Sequence, residues 1–145
     1  MTAAHYYDIP GVTTFSGGTE STALNPRMAA AFARAGFDIA SESVGIENPV
    51  YSIRFADTAP AQKAWSKVYD DPANPQEQFA AVMTCDHADQ NCPFVPGAER
   101  RFSLTYEDPK VADNTPSEKA TYDERLRQIG RELLLAFSLV TTPAG

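Results

Sequence analysis

Apolar and polar positions along the chain follow two patterns, one typical of strands and one typical of helices. Short runs rich in β-branched and aromatic residues, each bounded by turn residues, predict strands at 12–15, 50–55, 80–84 and 101–106. In the second of these runs, Tyr51, Ile53 and Phe55 fall on one face with a period of two. Residues 63–69 return after a turn, so we predict an antiparallel hairpin over residues 50–69.

Two segments follow the helical period. The first begins at Asn25-Pro26, an N-cap followed by proline at the first helical position, and ends at Gly36. The second begins with a capping box at Thr115, and its apolar face recurs every three to four residues. The positions of that face are Tyr122, Leu126, Ile129, Leu133, Phe137 and Val140. A further short helix is predicted at 75–79.

The order of these elements predicts an α/β fold with the hairpin inserted on one side of the sheet. Residues 80–84 form a nearly continuous apolar run, as expected for a strand that is buried on both faces. The length of 145 residues fits one domain with one core, so we assign residues 1–145 to a single domain.

Charge and targeting signals narrow the classes of function. The net charge is −7 and the pI is about 4.7, which disfavours general nucleic-acid binding because that function needs a basic face. No apolar run approaches the roughly 20 residues that span a bilayer, and the first residues do not form a signal peptide. We therefore expect a cytoplasmic protein with no nucleic-acid or membrane partner.

The only two cysteines, Cys85 and Cys92, flank a short polar loop that follows the apolar run at 80–84. Three interpretations remain open. The cysteines are two small core residues, they bind zinc together with His87, or they form a redox pair. A disulfide needs Cα atoms within about 7 Å, so a bond between them requires the loop to rearrange. Cys85 would lie at the carboxyl edge of the sheet, where open α/β folds place their sites.

Two further features are candidates for chemistry. Asp108 follows the strand predicted at 101–106 and precedes a proline, so it is either a turn aspartate or a general acid at the same edge of the sheet as Cys85. Ser16-Gly17-Gly18 is rich in glycine but matches neither a Walker loop nor a dinucleotide fingerprint, which favours a tight turn.

Four motifs, in this order, resemble the low-molecular-weight protein tyrosine phosphatase superfamily, most closely its thioredoxin-coupled arsenate reductases. The resemblance runs from about residue 2 to about residue 138. The motifs are Phe15-Ser16-Gly17-Gly18-Thr19-Glu20 with Ala23-Leu24-Asn25-Pro26-Arg27, then Cys85 through Cys92-Pro93, then Pro96-Gly97, then Tyr106-Glu107-Asp108-Pro109. The hairpin at 50–69 and the loop at 70–74 look like the insertion of an extended bacterial subgroup.

The resemblance implies a three-layer fold with a parallel sheet, of the phosphatase-I or flavodoxin-like type, and a cysteine nucleophile in a Cys-x5-Arg loop after the first strand. Asp108 matches the general acid of phosphatase chemistry. Cys85 and Cys92 match the second and third cysteines of the reductase relay, whose disulfide thioredoxin reduces. Ser16 matches a hydroxyl that supports the phosphate loop, and Asn25 lies near it. The implied substrate is a small oxyanion or phosphotyrosine, and we expect no cofactor and no metal.

The sequence departs from this family at one decisive point. It contains no Cys-x5-Arg, no cysteine before Cys85 and no arginine before Arg27. The first strand, the phosphate loop and most of the first helix of the family are missing. We therefore expect a truncated protein, or an internal methionine taken as the start, that is inactive as written. The alternative is a non-catalytic scaffold or interaction module of the same fold. In either case, the strands at 12–15 and 80–84 lose a ladder partner.

Overall fold

The structure is a computed structural model that describes residues 1–43, 45–84 and 94–140. It contains both helices and strands. The helices are α1 (Thr2–Tyr6), α2 (Pro26–Arg34), a 3-10 helix (Pro109–Ala112) and α3 (Glu118–Ser138). The strands are β1 (Asp38–Ser41), β2 (Tyr51–Arg54), β3 (Gln62–Ala64), β4 (Phe79–Met83) and β5 (Ala98–Ser103).

An antiparallel sheet with the order β1-β2-β3 contains the predicted hairpin. Tyr51 pairs with Ala64 and Ile53 with Gln62, which confirms the pairing of the two strands predicted within residues 50–69. The returning strand is shorter than expected and ends before Trp65. Strand β1 pairs with the other edge of β2 and was not predicted, because only Ile39 of its four residues is even partly buried.

A second sheet consists of β4 and β5, which pair in parallel from Phe79↔Ala98 to Met83↔Ser103. Both strands were predicted. The predicted start of β5, residue 101, lies three residues after its observed start at Ala98. The expectation that residues 80–84 are buried on both faces was wrong: Val82 is 48% exposed and its partner Phe102 is 54% exposed. The reason is that β4 has one strand partner in the described part of the chain, so this small parallel sheet is left partly uncovered.

Two other predicted elements are absent from the described residues. Residues 12–15 form no strand, and Phe15 is 53% exposed; the nearest ladder contact is an isolated bridge between Gly18 and Val68. An extended segment without a neighbour to pair with makes no sheet. Residues 75–79 form no helix, because Gln78 has a φ of 58°, which is incompatible with a right-handed helix, and Phe79 begins β4.

The helix predicted from Asn25 is confirmed as α2. The Asn25 side chain accepts a hydrogen bond from the Arg27 amide at 2.9 Å, and Gly36 adopts a φ of 93° just after the last turn. The capping box predicted at Thr115 was wrong. The Thr115 hydroxyl instead donates to the Ala112 carbonyl at the end of the 3-10 helix, so α3 begins only at Glu118.

The best-packed region lies where α1, α2 and the 3-10 helix meet α3. Most of the buried apolar residues are small; they are Ala3, Ala4, Ala31, Ala59, Val95, Tyr106, Ala112 and Tyr122. The predicted apolar face of α3 is buried at Tyr122, whereas Leu133 and Val140 are exposed by 37% and 49%. No helix in the described ranges is both long and apolar enough to cross a bilayer.

Candidate functional site

The carboxyl ends of β4 and β5 lie side by side. Beyond the strands themselves, the Leu104 amide donates to the Met83 carbonyl at 2.9 Å, and the Tyr106 amide donates to the Thr84 carbonyl at 3.0 Å. Thr84 directly precedes Cys85 in the sequence, and Asp108 follows Tyr106 by two residues. The chain therefore enters the 85–93 segment and the Asp108 turn from the same edge of the sheet.

Both cysteines lie outside the described residues, in the segment 85–93, as does His87. The redox pair of Cys85 and Cys92, the core interpretation and the zinc interpretation all stay predictions. Among the residues that the structure does describe, no group of three or more histidine, cysteine, aspartate or glutamate side chains is placed to hold a metal ion.

Asp108 is exposed and held in a defined turn. Its side chain accepts a hydrogen bond from the Lys110 amide at 2.9 Å, which makes it the N-cap of the 3-10 helix. Pro109 and Ala112 of that helix are buried. One carboxylate oxygen of Asp108 therefore caps the helix, while the group as a whole faces solvent, where a substrate can reach it.

The other side of this turn is anchored by Tyr106. The Tyr106 side chain is 8% exposed, and its hydroxyl donates to the Glu132 carboxylate on α3 at 2.7 Å. Burial, followed by this hydrogen bond, raises the pKa of Tyr106 to about 12. The tyrosine therefore stays protonated over the ordinary pH range, and the turn that carries Asp108 stays fixed to the long helix.

Asn25 is connected to the same turn through Tyr122. The Asn25 side-chain nitrogen donates to the Tyr122 hydroxyl at 3.0 Å, and that hydroxyl donates to the Asp113 carboxylate at 2.8 Å. Tyr122 is 2% exposed, and burial together with its bond to Asp113 raises the pKa of its hydroxyl. Asp113 directly follows the 3-10 helix, so Asn25 is joined to the far end of the element that Asp108 caps.

Arg27 reinforces this junction. Its guanidinium lies 2.8 Å from the Glu118 carboxylate and 3.5 Å from the Asp113 carboxylate, and it also donates to Asn114 at 2.9 Å. The Asn114 amide and Arg27 both bind the Glu118 carboxylate, which lowers the pKa of Glu118. The start of α2, the end of the 3-10 helix and the start of α3 are thus tied together by polar contacts.

Ser16 lies against the segment that follows the hairpin strand β3. Its hydroxyl accepts a hydrogen bond from the Lys67 ammonium at 3.5 Å, and its carbonyl accepts one from the Asn74 side chain at 3.2 Å. The Gly18 amide donates to the Lys67 carbonyl, and the Tyr69 amide donates to the Gly18 carbonyl, both at 2.9 Å. Two short backbone segments are therefore paired, with Ser16 at one end.

Gly17 is the point of closest approach between these two segments. A Cβ on Gly17 would lie 2.5 Å from the Tyr69 Cα and 2.9 Å from the Tyr69 nitrogen, both backbone atoms that cannot rotate away. We expect Gly17→Ala to force the segments apart and to lower the free energy of unfolding by about 1–3 kcal/mol, as overpacking does. Urea unfolding followed by circular dichroism measures this change.

Gly18→Ala is the matched control for that substitution. The nearest atom to a Cβ on Gly18 is the Glu20 carbonyl oxygen at 3.5 Å, an ordinary contact, so its stability should stay within about 0.5 kcal/mol of the original. Equal destabilisation by the two substitutions would show that loss of glycine flexibility, and not the contact with Tyr69, is responsible.

The sequence-predicted site residues fall into separate groups in the structure. Asp108 and Asn25 belong to one connected unit, whereas Ser16 contacts Lys67 after the hairpin strand β3, and no described contact joins Ser16 to Asp108. Sequence reasoning missed Lys67 and Asn74, because neither a buried lysine nor a buried asparagine leaves a periodic signal in a polar loop. It also placed Tyr122 only on an apolar face, although its hydroxyl is the centre of the junction.

No protein-family model matches the chain, and no curated protein matches it.

Proposed function

We propose that these 145 residues are the larger part of a cysteine-dependent enzyme that acts on a tetrahedral oxyanion, by arsenate reductase or tyrosine phosphatase chemistry. In this proposal the fold is the three-layer, parallel-sheet core of the low-molecular-weight phosphatases, with residues 50–69 as an inserted hairpin. The sequence does not contain the Cys-x5-Arg loop, which would follow a strand that pairs with β4.

The observation that carries the proposal is the shared edge of β4 and β5. Thr84, which precedes Cys85, and Tyr106, which precedes the Asp108 turn, are bonded to each other at the carboxyl ends of two parallel strands. Open α/β sheets bind their ligands at that end of their strands. The proposed chemistry needs a relay cysteine and a general acid close together, and the residues that precede Cys85 and the Asp108 turn in the sequence are joined at this edge.

The second edge of β4, which has no strand partner among the described residues, supports the same proposal. Two strands alone are marginal in water, and parallel sheets are normally covered on both faces. A further parallel strand on that edge would pair the backbone of β4 and cover Val82, whose side chain is now half exposed. Such a strand would deliver a loop at its carboxyl end to the edge from which the chain continues toward Asp108.

Each residue would then have a defined role. In phosphoester hydrolysis, the loop thiolate attacks phosphorus and Asp108 protonates the leaving oxygen; water then cleaves the sulfur–phosphorus bond, which releases phosphate and restores the thiolate. In arsenate reduction, the loop thiolate displaces water to form a sulfur–arsenic bond. Cys85 then attacks that sulfur, and the electron pair of the broken bond passes to arsenic, which leaves as arsenite. Cys92 attacks the resulting disulfide at Cys85 and frees the nucleophile, and thioredoxin reduces the pair.

The second candidate, a non-catalytic module of the same fold, is favoured by one fact, the absence of Cys-x5-Arg from the sequence. The two candidates differ in what an added loop does. A catalytic chain gains activity once its nucleophile and oxyanion cradle are restored, whereas a non-catalytic scaffold folds with the added segment and gains no activity.

Adding the missing segment therefore tests the proposal. A strand, a Cys-x5-Arg loop and the start of a helix are joined ahead of Thr2, taken from the natural reading frame where it encodes them. We expect no turnover from residues 1–145 alone. The extended chain should hydrolyse 4-nitrophenyl phosphate and oxidise thioredoxin in the presence of arsenate. A folded extended chain with neither activity would contradict the enzyme proposal and support the scaffold.

A further inference from the structure

Lys67 is a buried cation for which the described residues provide no ion-pair partner. The residue is 6% exposed, and its ammonium lies 4.1 Å from the centre of the Trp65 ring, a favourable cation–π distance. None of the described ion pairs includes it. Burying an ammonium without a counter-charge is costly, so native structures usually supply an anion.

The hydrogen bonding of Lys67 is also incomplete. An ammonium carries three donors, and the one acceptor described for it is the Ser16 hydroxyl, at the long distance of 3.5 Å. Burial lowers the pKa of Lys67, and the negative charge of Asp71 only partly opposes this effect. Ser16 retains its own hydroxyl hydrogen, so a second donor group lies 3.5 Å from the ammonium that contacts the Trp65 ring.

The backbone around Ser16 and Lys67 is held in place by hydrogen bonds from Asn74. The side-chain nitrogen of Asn74 contacts the carbonyls of Ser16, Val68 and Tyr69 at 3.2, 3.4 and 3.0 Å. Asn74 itself is 8% exposed, and its side-chain oxygen is buried with no partner in the described structure. The segment therefore contains an unpaired acceptor, the Asn74 side-chain oxygen, and an incompletely bonded donor, the Lys67 ammonium. A ligand that carries both oxygens and a hydroxyl could pair with both groups.

We propose that Lys67 and Ser16, beside the face of Trp65, form a binding site for a small tetrahedral oxyanion such as phosphate or arsenate. The two donor groups lie 3.5 Å apart, close enough to bind neighbouring oxygens of one ion, and the ammonium would gain an ion-pair partner. The burial of Lys67 restricts the ligand to a small ion, and the net charge of −7 disfavours a large acidic partner.

The site would give the hairpin insertion a role. Lys67 belongs to residues 50–69, and Ser16 matches a hydroxyl that supports the nucleophile loop in the family that the sequence resembles. The insertion would thus bring a second cation close to the catalytic loop. That location rests on the proposed function, whereas oxyanion binding by residues 1–145 does not.

Trp65 is the only tryptophan, so its fluorescence reports directly on the site. The full 145-residue chain is titrated with inorganic phosphate, and then with arsenate, at an ionic strength held constant with sodium chloride. We expect a saturable change in fluorescence with one binding constant. Lys67→Met should weaken binding at least about tenfold, because it removes a charge-assisted hydrogen bond.

Lys63→Met is the matched control, because Lys63 is exposed, lies on the same hairpin and pairs with Glu42 at 3.1 Å. It should leave phosphate binding unchanged. Ser16→Ala changes an exposed residue and should weaken phosphate binding severalfold. It replaces Lys67→Met as the test variant if a thermal melt shows that Lys67→Met does not fold.

No saturable response in the original chain, or equal binding by the original chain and both site variants, overturns the proposal. Phosphate binding without turnover in the extended chain would sink the proposed function and leave this site standing.

Discussion

In the chain extended with its Cys-x5-Arg loop, Cys85→Ser is expected to abolish thioredoxin-linked arsenate reduction and to leave phosphoester hydrolysis within about threefold. Serine cannot attack a sulfur–arsenic adduct and form a disulfide, so arsenite is never released by that route. Hydrolysis needs the loop thiolate and a general acid but no second thiol. Arsenite release and 4-nitrophenol release are measured on the same preparations.

Cys92→Ser distinguishes a relay from a structural pair. Without the third thiol, the disulfide between the nucleophile and Cys85 is not resolved, so we expect a burst of about one arsenite per chain followed by arrest. Multiple turnovers by Cys92→Ser would remove it from the relay. Equal loss of reduction and hydrolysis in both variants would show instead that the cysteines hold the structure together.

Asp108→Asn is expected to lower phosphoester hydrolysis by roughly 10²–10⁴-fold in the same extended chain, the usual contribution of a general acid. The substitution suits the structure, because an asparagine oxygen can still accept the hydrogen bond that the Lys110 amide now gives Asp108 at 2.9 Å. The cap of the 3-10 helix and the fold should therefore survive. The loss should be larger with phenyl phosphate than with 4-nitrophenyl phosphate, whose leaving group departs readily without a proton.

Glu107→Gln is the control for Asp108→Asn. Glu107 is the neighbouring exposed carboxylate and lies 3.4 Å from Arg125 on α3. Glu107 is the exposed member of this pair and its contact with Arg125 is long, so the pair contributes little to stability and hydrolysis should stay within about twofold. If the two substitutions reduce hydrolysis equally, or if the loss does not depend on the leaving group, Asp108 acts as a turn residue and not as an acid.

The elements predicted correctly are those whose signal is local. The N-cap of Asn25 and the alternation at Tyr51 and Ile53 act within a few residues, and both survive in the structure as α2 and as the strand β2. The start of α3 was predicted two residues too early, because Thr115 is used by the preceding 3-10 helix. A capping motif in the sequence does not show that a neighbouring helix will use the same hydroxyl.

The predictions that failed depended on partners elsewhere in the chain. An apolar run such as 80–84 indicates a strand, but its burial depends on which neighbours cover it, and β4 has one strand partner among the described residues. The same reason applies to residues 12–15, which have the composition of a strand and no ladder to join.

The candidate site was predictable only where it rests on sequence motifs. Asp108 was found from the Asp-Pro pair that follows a strand, and the structure places it at the turn beyond β5. Lys67 was not found, because its burial comes from contact between the hairpin and a turn some 50 residues earlier. Tyr122 was taken as apolar, since a sequence does not show which hydroxyl on a helix finds a carboxylate.

The central claim is that the edge shared by β4 and β5 serves two chemistries through separate residues. The most direct measurement is the ratio of arsenate reduction to phosphoester hydrolysis in the extended chain and in its Cys85→Ser and Asp108→Asn variants. The account predicts that this ratio falls to near zero in Cys85→Ser and rises well above its original value in Asp108→Asn. A ratio that stays constant while both activities fall together in each variant would contradict it.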